Sequence, residues 1–240
     1  MHLLVIGGTG RTGQLVIDDA LRRGHTVTAL ARNPSTLGAR PGLEVAEGEC
    51  LQLFKSSHAP PANQITTGTP LKLEDVRSAF QKHTPVDAVI VTLNARRASD
   101  SPFAANVSPP RLMADSVANL CKVMKEHHVR KIVIMQAFGV GETWPNMSYM
   151  LRLLVKKSNM CYQFDDHNLV AKEIKTAGVT YVLARPNILM DGEAKPIKEY
   201  PNHGKGVPMM GKVSKASVAK FLVDAAEQDK WDNTAPVFTN

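Results

Sequence analysis

Two hydrophobic rhythms run along the chain. Leu3–Ile6, Thr26–Ala31, Leu43–Ala46, Val86–Leu93, Lys131–Gln136 and Val179–Ala184 are short stretches dominated by apolar and β-branched residues. That pattern predicts strands covered on both faces. Gln14–Arg23, Leu73–Lys82, Arg111–His127, Asp166–Ala177 and Ser217–Ala226 instead read as helices. In the first of them Leu15, Val16, Asp19 and Ala20 fall at helical spacing, and Gly24 stops it. Glu74-Asp75 opens the second helix, Pro109-Pro110 precedes the third and Gly178 stops the fourth. Strands alternating with helices predict βαβ units, hence an α/β fold with a mostly parallel, doubly wound sheet. The pattern contains no internal repeat. Residues 1–240 are expected to form a single domain with a small C-terminal region on the substrate side.

One stretch breaks the rhythm. Glu49–Gly68 is mixed polar and contains proline, about 20 residues where an α/β connection usually takes 2–6. Deleting it would join LEVAEG to TPLKLEDV, a natural strand-turn-helix. Gly48-Glu49-Cys50 can also be encoded by a run that contains a splice-donor consensus. The segment is therefore read as an atypical insertion or retained intron, disordered or looped out. A functional lid is the alternative.

Composition narrows the function classes. Hydrophobic residues make up 43% and charged residues 21% of the chain, ordinary values for a soluble domain. Cys50, Cys121 and Cys161 cannot all pair and lack metal-ligand spacing, so neither a disulfide framework nor a zinc site is expected. No apolar run approaches the roughly 20 residues that span a bilayer. The N-terminal MHLLVIGGTG lacks a basic n-region and a cleavage site and reads as a strand, so a cytoplasmic location is expected. The net charge of +7 is scattered, without an RNA-binding aromatic motif or zinc-finger spacing. Nucleic acid and membrane are accordingly not expected as partners, whereas a phosphorylated small molecule suits the balance.

Gly7-Gly8-Thr9-Gly10-Arg11-Thr12-Gly13 follows the first strand and opens the first helix. Glycines at 7, 10 and 13 allow a sharp turn and let backbone N–H groups approach a pyrophosphate, beside a helix N-terminus carrying partial positive charge. Thr9, Arg11 and Thr12 complete this loop. The spacing differs from GxGxxG, but its place in a βαβ unit points to a dinucleotide. NAD enzymes hold the ribose with an acid about 20 residues further on. Here the second strand runs out through Ala31, Arg32 and Asn33 with no acid. Arg32, with Arg11 near it, suits a 2′-phosphate, so NADP is the expected cofactor. Ligands lie along the carboxyl ends of such strands. That rule places Leu93, Asn94 and Ala95 near the ribose, and Gln136, Ala137 and Phe138 near the nicotinamide.

GGTGRTG, ALARNPS, QAFGVGE, DDHNLVAKEIKTAGVTYVLARP and VSKASVAKFLVDAA occur in this order. Together they resemble the atypical short-chain dehydrogenase/reductases, Rossmann-fold NAD(P)-binding proteins, over nearly everything except residues 49–68. Within that superfamily the chain looks like the branch of biliverdin/flavin reductases and NmrA-like regulators. LNARRASDSPFA, DDHN and the GTP around Gly68 look closest to fungal averufin-oxidase-type proteins of aromatic polyketide pathways. The departures are informative. Ordinary short-chain dehydrogenases use a Tyr four residues before a Lys. Here the positions four after Tyr149, Tyr162, Tyr181 and Tyr200 are Leu153, Asp166, Arg185 and Gly204, and Gln136 stands where a serine is expected.

The resemblance places His167 on the substrate side of the nicotinamide pocket. A histidine titrating near neutrality and oriented by a carboxylate such as Asp166 is a general acid or base. The expected catalytic set is therefore His167, Asp166 and Gln136, with Asp166 as a helix N-cap and His167 as a surface residue the competing reading. Met147, Tyr149, Met150, Leu151, Leu154, Met160, Tyr162 and Phe164 suit a wall for a flat aromatic substrate, and Lys205–Met210 a closing loop. Four readings stay open: an NADPH-dependent oxidoreductase of aromatic or quinone-like compounds, a flavin/biliverdin-type reductase, a non-redox isomerase or epoxide-opening enzyme, and a non-catalytic redox sensor. Oligomeric state is not readable from these patterns.

Overall fold

The computed structural model describes residues 1–33, 37, 44–46, 64–82 and 85–240; residues 44–46 and 64–67 are described by their backbone and Asn202 without its side chain. β1 (His2–Ile6) leads through the glycine turn into α1 (Arg11–Arg22) and β2 (Thr26–Ala31). β3 (Glu44–Ala46), β4 (Gln64–Thr67) and α2 (Leu73–Lys82) follow, then β5 (Ala88–Val91), α3 (Leu112–Glu126) and β6 (Lys131–Met135). Two consecutive helices, α4 (Tyr149–Lys157) and α5 (Met160–Glu173), precede β7 (Thr180–Pro186). The C-terminal part comprises β8 (Ile188–Met190), β9 (Lys198–Tyr200), the short α6 (Pro201–Gly204), β10 (Lys212–Ser214), α7 (Lys215–Glu227) and β11 (Val237–Thr239).

Among the described residues nine strands form one sheet in the order β3-β4-β2-β1-β5-β6-β7-β11-β9. Its pairings are parallel except that of β11 with β9. β8 and β10 pair separately. The period of two explains why the central strands are apolar throughout. Leu4 and Ile6 of β1 join Val89, Val91, Ile132 and Ile134 beneath α2, α3 and α5. Leu3 and Val5 join Val27, Ala29, Ile90 and Val133 beneath α1 and α7. Each strand thus feeds two cores. Val16, Ile17 and Ala20 of α1 meet the second core together with Val218, Phe221 and Leu222 of α7. Burying a large side chain of this kind stabilises the fold by roughly 1.5–3 kcal/mol.

The structure bears out the α/β Rossmann-like architecture and corrects three expectations. Gln64–Thr67 is not looped out: as β4 it pairs with β2 from Thr28 opposite Gln64 to Ala31 opposite Thr67, and with β3 on its other side. The β-branched run Ile65-Thr66-Thr67 favours an extended chain. The rest of the expected insertion, residues 49–63, lies outside the described residues. Asp166 does not start a helix. Phe164, His167, Val170 and Ala171 continue one buried face, so the helix begins at Met160. α4, α6 and the short C-terminal strands β8 to β11 lie outside the expected elements. α4 is capped by the Ser148 hydroxyl, which accepts from the Leu151 N–H, and β11 is only three residues long.

Candidate cofactor and substrate site

The strand order reverses at β1, which has β2 on one side and β5 on the other. Such a switch point opens a crevice at the carboxyl ends of the strands. The glycine turn occupies it. Gly7 has a left-handed φ of +85°, and a Cβ added there would lie 2.9 Å from the Thr92 backbone. At Gly13 a Cβ would come within 2.2 Å of the Gly7 carbonyl oxygen. The Gly10 N–H donates to that same oxygen at 3.0 Å. The Thr92 hydroxyl, just after β5, also donates to the Ile6 and Gly7 carbonyls at 3.2 and 3.1 Å. The turn is therefore held by neighbours that leave no room for side chains. Gly10 caps α1 without a side-chain bond, and no acid lies in the first helical turn. The N–H groups of Arg11, Thr12 and Gly13 begin that turn with no helical carbonyl behind them. This cradle fits a pyrophosphate.

Around it, Thr9 and Arg11 are exposed and Thr12 is buried. Arg32 is exposed one residue beyond β2 and followed by Asn33. Past β5, Leu93 is half-buried, Asn94 exposed and Ala95 buried. Past β6, Ala137 is half-buried, whereas Gln136 and Phe138 are buried. A Cβ on Gly204 would strike the Phe138 ring at 2.6 Å. Phe138 is thus part of the packing under α6 and does not present its face to an open pocket.

The group Gln136, Asp166 and His167 is assembled, but not in the expected way. The Asp166 carboxylate accepts from the N–H groups of Met113 and Ala114, at 2.8 and 2.9 Å. It satisfies two donors at the start of α3, and no hydrogen bond joins it to the His167 ring. The Gln136 amide donates to the His167 carbonyl at 2.9 Å, and its oxygen accepts from Arg185 Nε at 3.3 Å. His167 is 3% exposed, with Nδ1 buried and unpartnered. Burial, and then the charge of Arg185, push its imidazole down to about 4. The expected histidine titrating near neutrality is therefore corrected to one that stays neutral at physiological pH.

Arg185 and Glu142 are members of this group that the sequence reading missed. Arg185, the penultimate residue of β7, is fully buried. Its Nη1 donates to Glu142 at 3.1 Å, while its Nη2 is buried without a partner. Lys175, foremost, and Arg185 hold the Glu142 carboxyl down to about 2. The available signal was a charged residue closing an otherwise apolar strand, Tyr181-Val182-Leu183-Ala184-Arg185.

The expected aromatic wall divides. Met147 and Phe164 are buried and Leu151, Leu154 and Met160 half-buried. Tyr149, Met150 and Tyr162 face solvent, as do Leu153, Phe103, Met209 and Met210. Asn159, between α4 and α5, donates from its side chain to the carbonyls of Phe103 and Ala104. The loop carrying Phe103 is thereby fixed beside these helices. A separate cavity of about 430 Å³ lies between α3 and α5, lined by Val117, Cys121, Val170 and Ile174 among others. None of its lining residues belongs to the glycine turn or a strand end, so it is not the cofactor crevice. No cluster of metal-ligating side chains occurs among the described residues, and no described helix is long and apolar enough to cross a membrane.

Comparison with known proteins agrees with this geometry. A family described as NAD(P)H-binding matches residues 7–59 and 52–229. Among solved structures, ChuY of Escherichia coli O157:H7, described as an anaerobillin reductase, superposes with a TM-score of 0.72. It is 16% identical, over 100% of this chain and 97% of that one. A short-chain dehydrogenase/reductase from Veillonella parvula in complex with NADP gives 0.71 at 11% identity, over 100% and 94% of the chains. A putative NAD-dependent epimerase/dehydratase from Bacillus halodurans gives 0.68 at 16%, over 100% and 94%.

Proposed function

Because the chain belongs to the NAD(P)H-binding family, we propose that it is a cytoplasmic, NADPH-dependent reductase of flat aromatic or quinone-like compounds. The observation that carries the reading is a dinucleotide cradle at Gly7, Gly10 and Gly13 in a fold that exposes Phe103, Tyr149, Met150 and Tyr162 among its aromatic and methionine side chains. Compounds of aromatic polyketide secondary metabolism have the required shape. In this reading the N–H groups of Arg11 to Gly13 hold the pyrophosphate, and Arg32 holds the 2′-phosphate. Leu93 to Ala95 and Gln136 to Phe138 border the ribose and nicotinamide through their backbone. When bound, the reduced nicotinamide supplies a hydride equivalent to the substrate.

No Tyr-x-x-x-Lys pair exists to protonate a ketone, and His167 is neutral and buried. A conjugated acceptor needs neither, because it spreads the negative charge and takes its proton from water. Gln136, Asp166 and His167 then act as positioning residues: Gln136 ties β6 to α5, and Asp166 holds the start of α3. Domain organisation follows the same reading, one NAD(P)-binding unit over residues 1–240, with the atypical segment expected at about 49–68 now ending before β4.

The test is NADPH consumption with a panel of quinones, anthraquinones, flavins and simple ketones. Turnover of the conjugated acceptors, with simple ketones unreactive, is expected. NADPH binding without turnover of any acceptor would instead favour a redox sensor.

A further inference from the structure

Arg11 stands at the first position of α1, at the edge of the cofactor cradle. Its guanidinium lies 3.6 Å from the Asp100 carboxylate. The charge of Arg11 also acts on Asp191, just after β8, which is itself paired with Lys215 at 2.5 Å. Asp191 has its own buried cation; Asp100 has no other ion pair among the described residues.

Asp100 does not sit on a slack loop. Arg97 and Asn106 form an antiparallel bridge, closed by bonds from the Ala98 N–H to the Ala105 carbonyl and from the Val107 N–H to the Arg96 carbonyl. The Arg97 side chain donates to the Ser101 carbonyl at 3.0 Å and to Gln163 at 3.1 Å. Asn159 holds Pro102, Phe103 and Ala104 from the other side. The loop is a braced post with an exposed carboxylate at its tip, and that carboxylate meets the one arginine of the glycine turn.

We propose that Asp100 is a counter-ion that occupies Arg11 until the cofactor arrives, making Asp100 a determinant of NADPH affinity. A cofactor phosphate carries the charge that Arg11 otherwise finds on Asp100, so binding exchanges one carboxylate for a phosphate. Bidentate charge-assisted bonding favours the phosphate, whereas an exposed ion pair gives up little when broken. This inference rests on the cofactor reading of the glycine turn.

The test is a cycle of four proteins, unmodified, Asp100→Asn, Arg11→Gln and the double variant, titrated with NADPH by fluorescence at one ionic strength. Asp100→Asn is expected to tighten NADPH binding by about two- to fivefold, the span of an exposed ion pair. In the Arg11→Gln background the same change is expected to do nothing. Equal tightening in both backgrounds would mean simple repulsion of an anionic ligand and overturn the counter-ion role; no tightening would overturn it as well. Absence of NADPH binding by the unmodified protein would remove the cofactor reading and this inference together, a result distinct from either.

Discussion

Replacing Gly13 by alanine tests the cradle with a single methyl group. Its Cβ would sit 2.2 Å from the Gly7 carbonyl oxygen, 2.8 Å from Thr92 Oγ1 and 2.9 Å from the Gly7 carbonyl carbon. Two of these atoms are backbone of the turn itself, and the third is the hydroxyl that fastens the turn to β5. No flexible side chain can move aside, so the turn and the start of α1 must separate. Overpacking of this kind costs about 1–3 kcal/mol, which in a domain of this size lowers Tm by roughly 2–4 °C per kcal/mol. The loss of binding should be larger than the loss of stability, because the displaced N–H groups are those that hold the pyrophosphate in the proposed reading. Losing two charge-assisted contacts, each about 1.5–3 kcal/mol, corresponds to a rise in Kd of at least a hundredfold. Gly24→Ala is the control. Gly24 has a φ of +80° with nothing within 4 Å of an added Cβ, so it carries only the left-handed penalty of about 1–2 kcal/mol. It should melt slightly lower and bind NADPH normally. Calorimetry and NADPH titration read both quantities. If Gly13→Ala binds NADPH as tightly as Gly24→Ala, the glycine turn does not hold the cofactor.

Three further outcomes are expected. Arg32→Ala should weaken NADPH binding at least tenfold and leave NADH nearly unchanged, since one charge-assisted phosphate contact is worth about 1.5–3 kcal/mol; equal affinities for both cofactors in the unmodified protein would refute the preference. His167 is held near pKa 4 by burial and Arg185, below its unfolded value near 6.5. The unfolded chain therefore binds more protons in that window, and stability falls as pH drops from about 6.5 to about 4, by on the order of 3 kcal/mol; His167→Leu should flatten that part of a melting-temperature profile, and an unchanged slope would count against the buried neutral form. Glu142→Gln removes the carboxylate from the fully buried Arg185 and should destabilise by about 1–3 kcal/mol, less than a wholly buried pair because Glu142 is partly exposed; denaturant unfolding reads it, with Arg185→Met the milder variant.

The parts of the molecule governed by local pattern were legible in the sequence. The uniformly apolar strands and the glycine turn follow from burial on two faces and from steric space at Gly7 and Gly13. What was not legible depends on partners far away in sequence. Asp166 reads as a helix start, yet its carboxylate serves the N-terminus of α3, more than fifty positions earlier. His167 reads as a titrating acid or base, and only the tertiary fold buries it beside Arg185. Gln64–Thr67 reads with its polar neighbours as part of an insertion, although Ile65 to Thr67 suit a strand and find one between β2 and β3. Phe138 lies just past β6 as the strand pattern predicts, while its contact with Gly204 shows that its ring is packed.

Single-turnover oxidation of NADPH deuterated at the transferred position, mixed with the protein and a conjugated quinone, tests the reductase reading most directly. Slower oxidation of the deuterated cofactor than of ordinary NADPH is predicted, with Gly13→Ala inactive and His167→Leu retaining most of the rate. Stable NADPH in the presence of every acceptor, despite binding at the glycine turn, would contradict it.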